Sequence, residues 1–270
     1  MGKRKGGATV TLDVWHKDFY EFVELRTNNG DDRRKAHDIF PALSVPDIFM
    51  ERVINREHFT LFDPHEVSRV MGFQLEDYYD DDTNKAFTEK YLACEASPDL
   101  HGIEVSALDM MKKIMRSAVE TGTPFIFFRD TTNRANPNKH AGMIYASNLC
   151  HEIAQNVGFT NLDEEIIQDD GSIVTRTKAG DMVTCNLNSI NLGQTSDEEL
   201  EENIALQVRM LDNVITINQF PVPETRVTSE KYRAIGLGTS GYHHYLVKHK
   251  VQWESDAHLE IADTLFENIA

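Results

Sequence analysis

The segment SALDMMKKIMRSAVETGTPFIFF (Ser106–Phe128) decides the fold class, because it reads as a helix followed directly by a strand. Ser106 and Asp109 resemble a capping box at the start of the helix, and Gly122 is a typical stop signal. The final four residues, FIFF, are predicted to be a fully buried strand. The face of the helix predicted to be buried carries Leu108, Met111, Ile114 and Met115.

The same alternation of helices and strands continues on both sides of this segment. Apolar alternation predicts strands at Ala8–Val14 and at Met182–Leu192, where Val183, Cys185 and Leu187 share a face. Residues Glu76–Asp99 are strongly acidic and are predicted to form a solvent-exposed excursion. Together these elements indicate one α/β fold with no linker-like composition inside it. Helical spacing predicts further helices at His16–Arg26, Pro46–Ile54, Ser196–Ile215 and Asp256–Ala270.

Composition and charge exclude several classes of function. The 270 residues carry a formal net charge of −17, which argues against binding to nucleic acid, since that needs clustered cations. The basic run Gly2–Gly7 could contact one small anion but not a polynucleotide. No stretch approaches the ~18 consecutive apolar residues of a membrane span. Three cysteines without short spacing do not form a disulfide framework, and no apolar signal region follows the N-terminus, so a cytoplasmic location is expected.

A possible reaction surface lies in ASNLCHEI, Ala146–Ile153. In an extended segment, Asn148, Cys150 and Glu152 would point to one side and Leu149 and His151 to the other. An amide, a thiol and a carboxylate on one face could act on a single substrate. Taken alone, however, Cys150 fits a small buried hydrophobic residue better than a reactive thiol.

Two competing sites have weaker support. Zinc could use Cys150, His151, Cys185 or the pair His243–His244, but none of the spacings typical of structural zinc sites is present. Gly236, Gly238 and Gly241 match the dinucleotide fingerprint G-x-G-x-x-G, yet only a weak strand precedes them and they do not open a βαβ unit. We interpret these glycines as close backbone packing at a junction between a strand and a helix.

SNLCHEI, followed by VTCNLNSINLG at 183–193, resembles the active-site segment of the large (α) subunit of class I ribonucleotide reductases. The runs KRKGG…FMERV (3–53), ETGTP…ASNLC (120–150) and PVPET…HHYLV (221–247) are similar to other parts of the same subunit. The resemblance therefore covers almost the whole chain. It implies part of a ten-stranded α/β barrel, with the first half-barrel, the start of the second and the radical-cysteine loop.

The resemblance also implies roles for individual residues. Cys150 would be the thiyl radical that abstracts the 3′ hydrogen of the ribose, and Glu152 would accept the 3′-hydroxyl proton. Cys185 would be one of two cysteines that supply reducing equivalents, its partner lying outside this chain. Asn148, also catalytic, would hydrogen-bond the substrate and the Glu152 carboxylate. The substrate would contact Ser147, Asn148, Leu149, Cys150 and Glu152, and the specificity loop would include Arg4, Lys5 and Gly6.

The implied partners follow from the same family. They are a ribonucleotide substrate, a dNTP or ATP effector and a small (β) subunit whose metal-containing centre generates the radical. A dithiol of the thioredoxin or glutaredoxin type would restore the cysteines, and no cofactor would be bound directly by this chain. Residues 1–270 are expected to be a partial barrel that works with further α-subunit segments. The alternative is a non-catalytic remnant or binding module that keeps the fold without turnover.

Overall fold

A computed structural model describes residues 6–80 and 83–270. The predicted specificity-loop residues Arg4 and Lys5 lie outside the described residues, and Gly6 is exposed. The chain divides into two units, Met1–Gly158 and Phe159–Ala270. Both units mix helices and strands, which confirms the α/β class in its coarse form.

The first unit contains most of the core. Its strands are β1 (Ala8–Asp13), β2 (Ile39–Val45), β3 (His58–Leu61), β4 (Ile103–Ser106) and β5 (Phe125–Phe128). Its helices are α1 (Phe19–Val23), α2 (Asp47–Asn55), α3 (Pro64–Met71), α4 (Ala86–Ala96), α5 (Ala107–Thr121) and α6 (Arg129–Arg134).

A parallel sheet in the order β1-β2-β5 organises this unit, and its two faces differ in chemistry. Leu12, Leu43 and Ile126 lie in register across the three strands and pack into the hydrophobic core. The next row in register is Asp13, Ser44 and Phe127, and it points to the opposite face because side chains alternate along a strand. One face of the sheet is therefore apolar, and the other, the polar face, carries hydroxyl, carboxylate and aromatic groups.

The segment that predicted the fold class forms α5 and β5 as expected, with Ser106 capping the helix and Gly122 ending it in the left-handed conformation. The buried face of α5 is rotated from the prediction, so Ile114 is buried whereas Met115 is 51% exposed. The prediction of a fully buried strand is also wrong, because Phe127 is buried, Phe125 and Ile126 are partly buried and Phe128 is exposed. Among the described residues β5 pairs with β2 alone, so its other edge has no neighbouring strand.

The prediction of a solvent-exposed excursion at Glu76–Asp99 is wrong for several residues along the segment. Phe87, Tyr91 and Cys94 recur at helical spacing on α4 and are completely or almost completely buried in the core. Asp80 is itself buried and stabilises the start of α4, because its carboxylate accepts hydrogen bonds from the Phe87 N–H (2.9 Å) and from the Thr88 hydroxyl (2.5 Å). The acidic composition concealed both the apolar stripe and this capping role.

A buried ion cluster joins the C-terminal ends of β1 and β5. The Arg129 guanidinium is fully buried and donates to Asp13 and Asp130, each at 3.1 Å. The rings of Tyr79 and Phe87 enclose it, with centroids 3.9 and 4.0 Å from its central carbon. A buried cation needs such partners, since an unpaired charge is strongly destabilising in the interior.

The second unit is built around the two-stranded parallel sheet β8–β9 and a separate hairpin, β6–β7. Within the described ranges the strands of the whole chain form one three-stranded and three two-stranded sheets, and no closed barrel is present. The strands are β6 (Asn161–Ile167), β7 (Ile173–Lys178), β8 (Leu187–Asn191) and β9 (Gly236–Ser240), and the helices are α7 (Asp197–Ile217), α8 (Pro223–Tyr232), α9 (Tyr242–Lys248) and α10 (Asp256–Ile269).

The glycines of the fingerprint-like run pack closely against β8, as interpreted from the sequence. A side chain at Gly236 would meet Leu187, and one at Gly238 would lie 3.3 Å from the Asn188 carbonyl. Gly241 adopts the left-handed conformation (φ +69°) where β9 turns into α9. This junction explains the pattern without a nucleotide.

Two predictions in this unit need correction. The strand predicted at Met182–Leu192 begins only at Leu187, because the Met182 N–H donates to the Thr228 hydroxyl and Thr184 bonds to Ser229, both on α8. Helical spacing predicts one buried face on α7 with Leu200, Ile204, Val208, Leu211 and Ile215. Leu200, Leu211 and Ile215 are buried, whereas Val208 is exposed.

The hydroxyl of Tyr91 gives a test of the core. It donates to the Thr60 carbonyl (2.9 Å) and accepts from the Thr60 N–H (2.8 Å), so it links α4 to β3. Tyr91→Phe should lower the free energy of unfolding by about 1–3 kcal/mol, because two backbone groups lose their partner. Tyr20→Phe, at a partly exposed site, should change it by less than about 0.5 kcal/mol. Urea denaturation of both variants measures the difference, and equal shifts would contradict the assigned role.

Candidate active site

The segment predicted to be extended forms a tight turn instead. Ser147 and Ala154 make an isolated antiparallel bridge that closes the turn, and the His151 N–H donates to the Asn148 carbonyl (3.2 Å). His151 has φ +63°, which reverses the chain. The alternation argument for a shared face is therefore wrong. The turn still brings together the five predicted substrate contacts, namely Ser147, Asn148, Leu149, Cys150 and Glu152.

The side chain of Asn148 holds this turn. Its Oδ1 accepts hydrogen bonds from the N–H groups of Glu152 and Ile153, both at 3.1 Å, while the Ser147 hydroxyl donates to the Ile153 carbonyl at 2.5 Å. The two N–H donors saturate the amide oxygen, since a carbonyl has two lone pairs. The Nδ2 group is consequently the part of Asn148 that could donate to a substrate.

The turn lies on the polar face of the β1-β2-β5 sheet. The Thr9 hydroxyl on β1 donates to the Leu149 carbonyl at 2.8 Å. The His151 ring packs against Phe125 and Phe127 on β5, with centroids 5.0 and 6.3 Å apart. Contacts on both sides of Cys150 thus fix the turn to two different strands.

Cys150 and Glu152 are both exposed, whereas Asn148 and His151 are half-buried. The side chains that hold the turn are therefore partly buried, and the thiol and the carboxylate are exposed. A thiol and a carboxylate two residues apart on one turn could reach the same small substrate.

Three buried asparagines hold the segments that lead into and out of the turn. Asn133 donates to the Ile144 carbonyl (3.0 Å) and accepts from the Ile144 N–H (2.8 Å). Asn136 donates to the Asn156 side chain (2.8 Å), which donates in turn to the Asn138 carbonyl (2.8 Å). The base of the turn is therefore fixed by side-chain amides, although it contains no regular secondary structure.

Burial lowers the pKa of His151, and the neighbouring Glu152 carboxylate opposes that shift. Its ring is consequently neutral at pH 7, because even an unperturbed histidine has a pKa near about 6.5.

Cys185 belongs to the second unit, where it is exposed in the segment just before β8. The residues on either side of it are held in place. The Thr184 hydroxyl bonds to Ser229 (3.0 Å), and Asn186 donates to the Leu211 carbonyl (2.7 Å) and accepts from the Gly236 N–H (2.9 Å). The position of Cys185 is thus fixed by contacts of its neighbours with α7, α8 and β9, and not by the long strand predicted from the sequence.

Across residues 6–80 and 83–270, no group of three or more histidine, cysteine or carboxylate side chains is arranged to hold a metal ion. In the same part of the chain, no helix combines the length and apolar character needed to cross a membrane.

Sequence reasoning missed the residues that support the turn. Thr9 lies about 140 positions from its partner, and nothing in its surroundings marks it. For His151 the sequence suggests only a zinc ligand or the opposite face of a strand. The asparagines of RANPN were visible as turn-forming residues, and their density was a usable signal.

The fold and the turn together define a mixed α/β protein that presents a cysteine and a carboxylate on a tightly held loop. The family model described as "Ribonucleotide reductase, barrel domain" matches residues 1–270, and the chain belongs to this family.

Named relatives agree with this assignment. The chain is 47% identical to the ribonucleoside-diphosphate reductase subunit alpha of Treponema pallidum, over 100% of this chain and 32% of that protein. It is 38% identical to the subunit of the same name from Helicobacter pylori (strain J99), over 100% of this chain and 38% of the relative. The subunit of Synechocystis sp. is 40% identical over 99% of this chain and 32% of the relative. The chain thus spans about a third of the length of these relatives.

Two substitutions at Asn148 test whether its side-chain oxygen holds the turn. Asn148→Asp keeps an oxygen that can accept from the Glu152 and Ile153 N–H groups, whereas Asn148→Ala removes it. We expect amide hydrogen exchange of residues 148–154 to remain slow in Asn148→Asp and to become fast in Asn148→Ala, because only the latter loses the hydrogen bonds. Equal exchange in the two variants would show that the side chain does not hold the turn.

Proposed function

We propose that this chain is a catalytic segment of the large subunit of a ribonucleoside-diphosphate reductase, which reduces ribonucleotides to deoxyribonucleotides for DNA synthesis. The observation that supports this most strongly is the turn itself, in which Cys150 and Glu152 are exposed together while Asn148 holds the backbone. Membership of the barrel-domain family and the names of the relatives support the reaction class. Because the chain spans about a third of those relatives, the full activity requires segments beyond it.

The first chemical steps use the turn. Cys150, as a thiyl radical, takes the hydrogen atom from C3′ of the ribose, which forms an S–H bond and leaves a carbon radical. Glu152 accepts the proton of the 3′-hydroxyl as general base. Both groups must reach one sugar. Because they lie two residues apart on a rigid turn, their side chains lose less conformational freedom when they come together on the substrate.

The reduction then uses Cys185. Loss of the 2′-hydroxyl as water consumes one proton, and two thiols supply two electrons and two protons as they form a disulfide. Cys185 is one of these thiols, and the other lies in a segment outside this chain. Return of the hydrogen atom from Cys150 to C3′ regenerates the thiyl radical. The balance is one ribonucleotide and two thiols to one deoxyribonucleotide, one disulfide and one water.

Substrate contacts come from the same turn. The Nδ2 group of Asn148 donates to a ribose oxygen, since its Oδ1 is saturated by the turn. Ser147 and Leu149 contribute the flanking surface, and Leu149 is 39% exposed. The remaining strands of a ten-stranded barrel cover the polar face of the sheet and exclude reductants that would quench the radical.

Partners supply what the chain lacks. The radical originates in a metal-containing small subunit, and a thioredoxin-type or glutaredoxin-type dithiol reduces the disulfide. A dNTP or ATP effector acts on substrate choice through the loop that includes Arg4, Lys5 and Gly6. The assembly works in the cytoplasm, where thiols stay reduced.

Cys150→Ser should abolish ribonucleotide reduction in the assembled enzyme, because an alcohol O–H bond is too strong to give an equivalent radical under these conditions. Cys94→Ala is the matched control, since it removes a thiol that is buried in α4, far from any solvent-accessible chemistry. That variant should lose some stability but retain turnover. Reduction of a radiolabelled ribonucleoside diphosphate measures the turnover of both variants. Undiminished product from Cys150→Ser would exclude the radical role and favour a non-catalytic module.

Cys185 should enter a disulfide during a single turnover without external reductant. Alkylation of the remaining thiols, followed by peptide mapping, should recover Cys185 linked to a cysteine of another segment, with Cys94 and Cys150 still alkylated. Formation of product while Cys185 remains a thiol would rule out its role as an electron donor.

A further inference from the structure

The two neighbours of Cys150 are held at opposite sides of the sheet. Leu149 is bound through its carbonyl to Thr9 on β1, and the ring of His151 packs on Phe125 and Phe127 of β5. β1 and β5 are the outer strands of the three-stranded sheet. The position of Cys150 therefore depends on two contacts made by its neighbours, one of them by an ionisable ring.

The backbone of His151 makes the ring contact necessary. Its φ of +63° lies in the left-handed region, which is unfavourable for a residue with a side chain. Packing of the ring against two aromatic side chains offsets this strain. Without that contact, this conformation of the turn is less stable.

The protonation state of the ring matters because its Nε2 atom is buried. That atom has no hydrogen-bond partner within the described residues. A neutral imidazole tolerates this, since one nitrogen carries no proton. An imidazolium ion would bury an N–H group and a positive charge without an acceptor, which is unfavourable.

We propose that His151 is a positioning residue for Cys150, which holds the turn on β5 while its ring is neutral and releases it when the ring is protonated. The consequence for turnover rests on the proposed function, whereas the movement of the turn does not. Nothing in the chemistry of the reduction requires a histidine at this position, so the proposal adds a pH-sensitive element to the site.

The charged groups around the ring are few. Glu152 on the same turn favours the protonated form, but burial is the larger effect and lowers the pKa. β5 contributes only the rings of Phe125 and Phe127. Arg26 lies 4.6 Å from the centre of the Phe40 ring, which stacks on Phe125, so two aromatic rings stand between this cation and the His151 ring.

The direction of the pH dependence follows from the lowered pKa. The released turn has the ordinary histidine pKa of about 6.5 and binds a proton more readily than the held turn. The held turn therefore loses stability as the pH falls below about 6.5, and the loss is complete once the pH is below the lowered pKa of the held ring. Above about 6.5 both forms are neutral and the turn stays in place.

The first test follows the turn directly in the assembled protein. Hydrogen exchange of the peptide that covers residues 146–154 is measured at pH 7.5 and pH 5.5 and corrected for the intrinsic effect of pH. The wild-type turn should lose protection at pH 5.5. His151→Phe, which keeps an aromatic ring but cannot be protonated, should remain protected at both values, and His151→Asn, which tolerates the left-handed conformation but has no ring, should be unprotected at both.

The second test measures reduction in the same assembly. His151→Asn should lower kcat by about tenfold to a hundredfold with little change in KM, because substrate still binds while the sulphur is misplaced. His151→Phe should retain wild-type kcat at pH 7.5 and lose the decline that the wild type shows below about pH 6.5. The control His58→Phe, at an exposed histidine on β3, should match the wild type in both experiments.

Identical pH dependence of exchange in the wild type and His151→Phe would overturn the proposal, as would coincident acid limbs in their kcat profiles. An assembly that shows the predicted exchange pattern but no reduction would count against the proposed function alone, because exchange does not depend on turnover.

Discussion

The interaction on which the site depends is the pair of hydrogen bonds from the Glu152 and Ile153 N–H groups to the side-chain oxygen of Asn148. It gives these two N–H groups an acceptor within the loop, where no regular secondary structure pairs them with a backbone carbonyl. The bonds set the reversal of the chain at His151. They also decide which groups face outwards, since the oxygen of Asn148 is used internally while Cys150 and Glu152 remain exposed.

The sheet beneath the turn explains why the turn can be held there. Side chains alternate along β1, β2 and β5, so one face is available for the hydrophobic core and the other for polar contacts. Thr9, Phe125 and Phe127 lie on the second face and meet the turn directly. At the C-terminal ends of β1 and β5, the Arg129 cluster joins the same strands. A rigid parallel sheet thus positions a loop that has no regular structure of its own.

Much of the fold was predictable because it depends on local signals. The helix from Ala107 to Thr121 follows from its cap, its periodicity and its terminal glycine, and the glycines at 236, 238 and 241 were correctly interpreted as close packing. The turn at Cys150 was not predictable, because its conformation depends on Asn148 and on contacts with strands far away in the sequence. The burial of α4 was missed for a related reason, since its acidic surroundings obscured Phe87, Tyr91 and Cys94.

The central claim is that Cys150, presented by this turn, takes the hydrogen atom from C3′ of a ribonucleotide. Competition between a 3′-deuterated ribonucleoside diphosphate and the unlabelled substrate tests it most directly in the assembled enzyme. Breaking of the C3′–H bond in or before the first irreversible step predicts that the unlabelled substrate is consumed faster, so that the remaining substrate becomes enriched in deuterium. A ratio of the two substrates that stays constant throughout an otherwise normal reduction would contradict the claim.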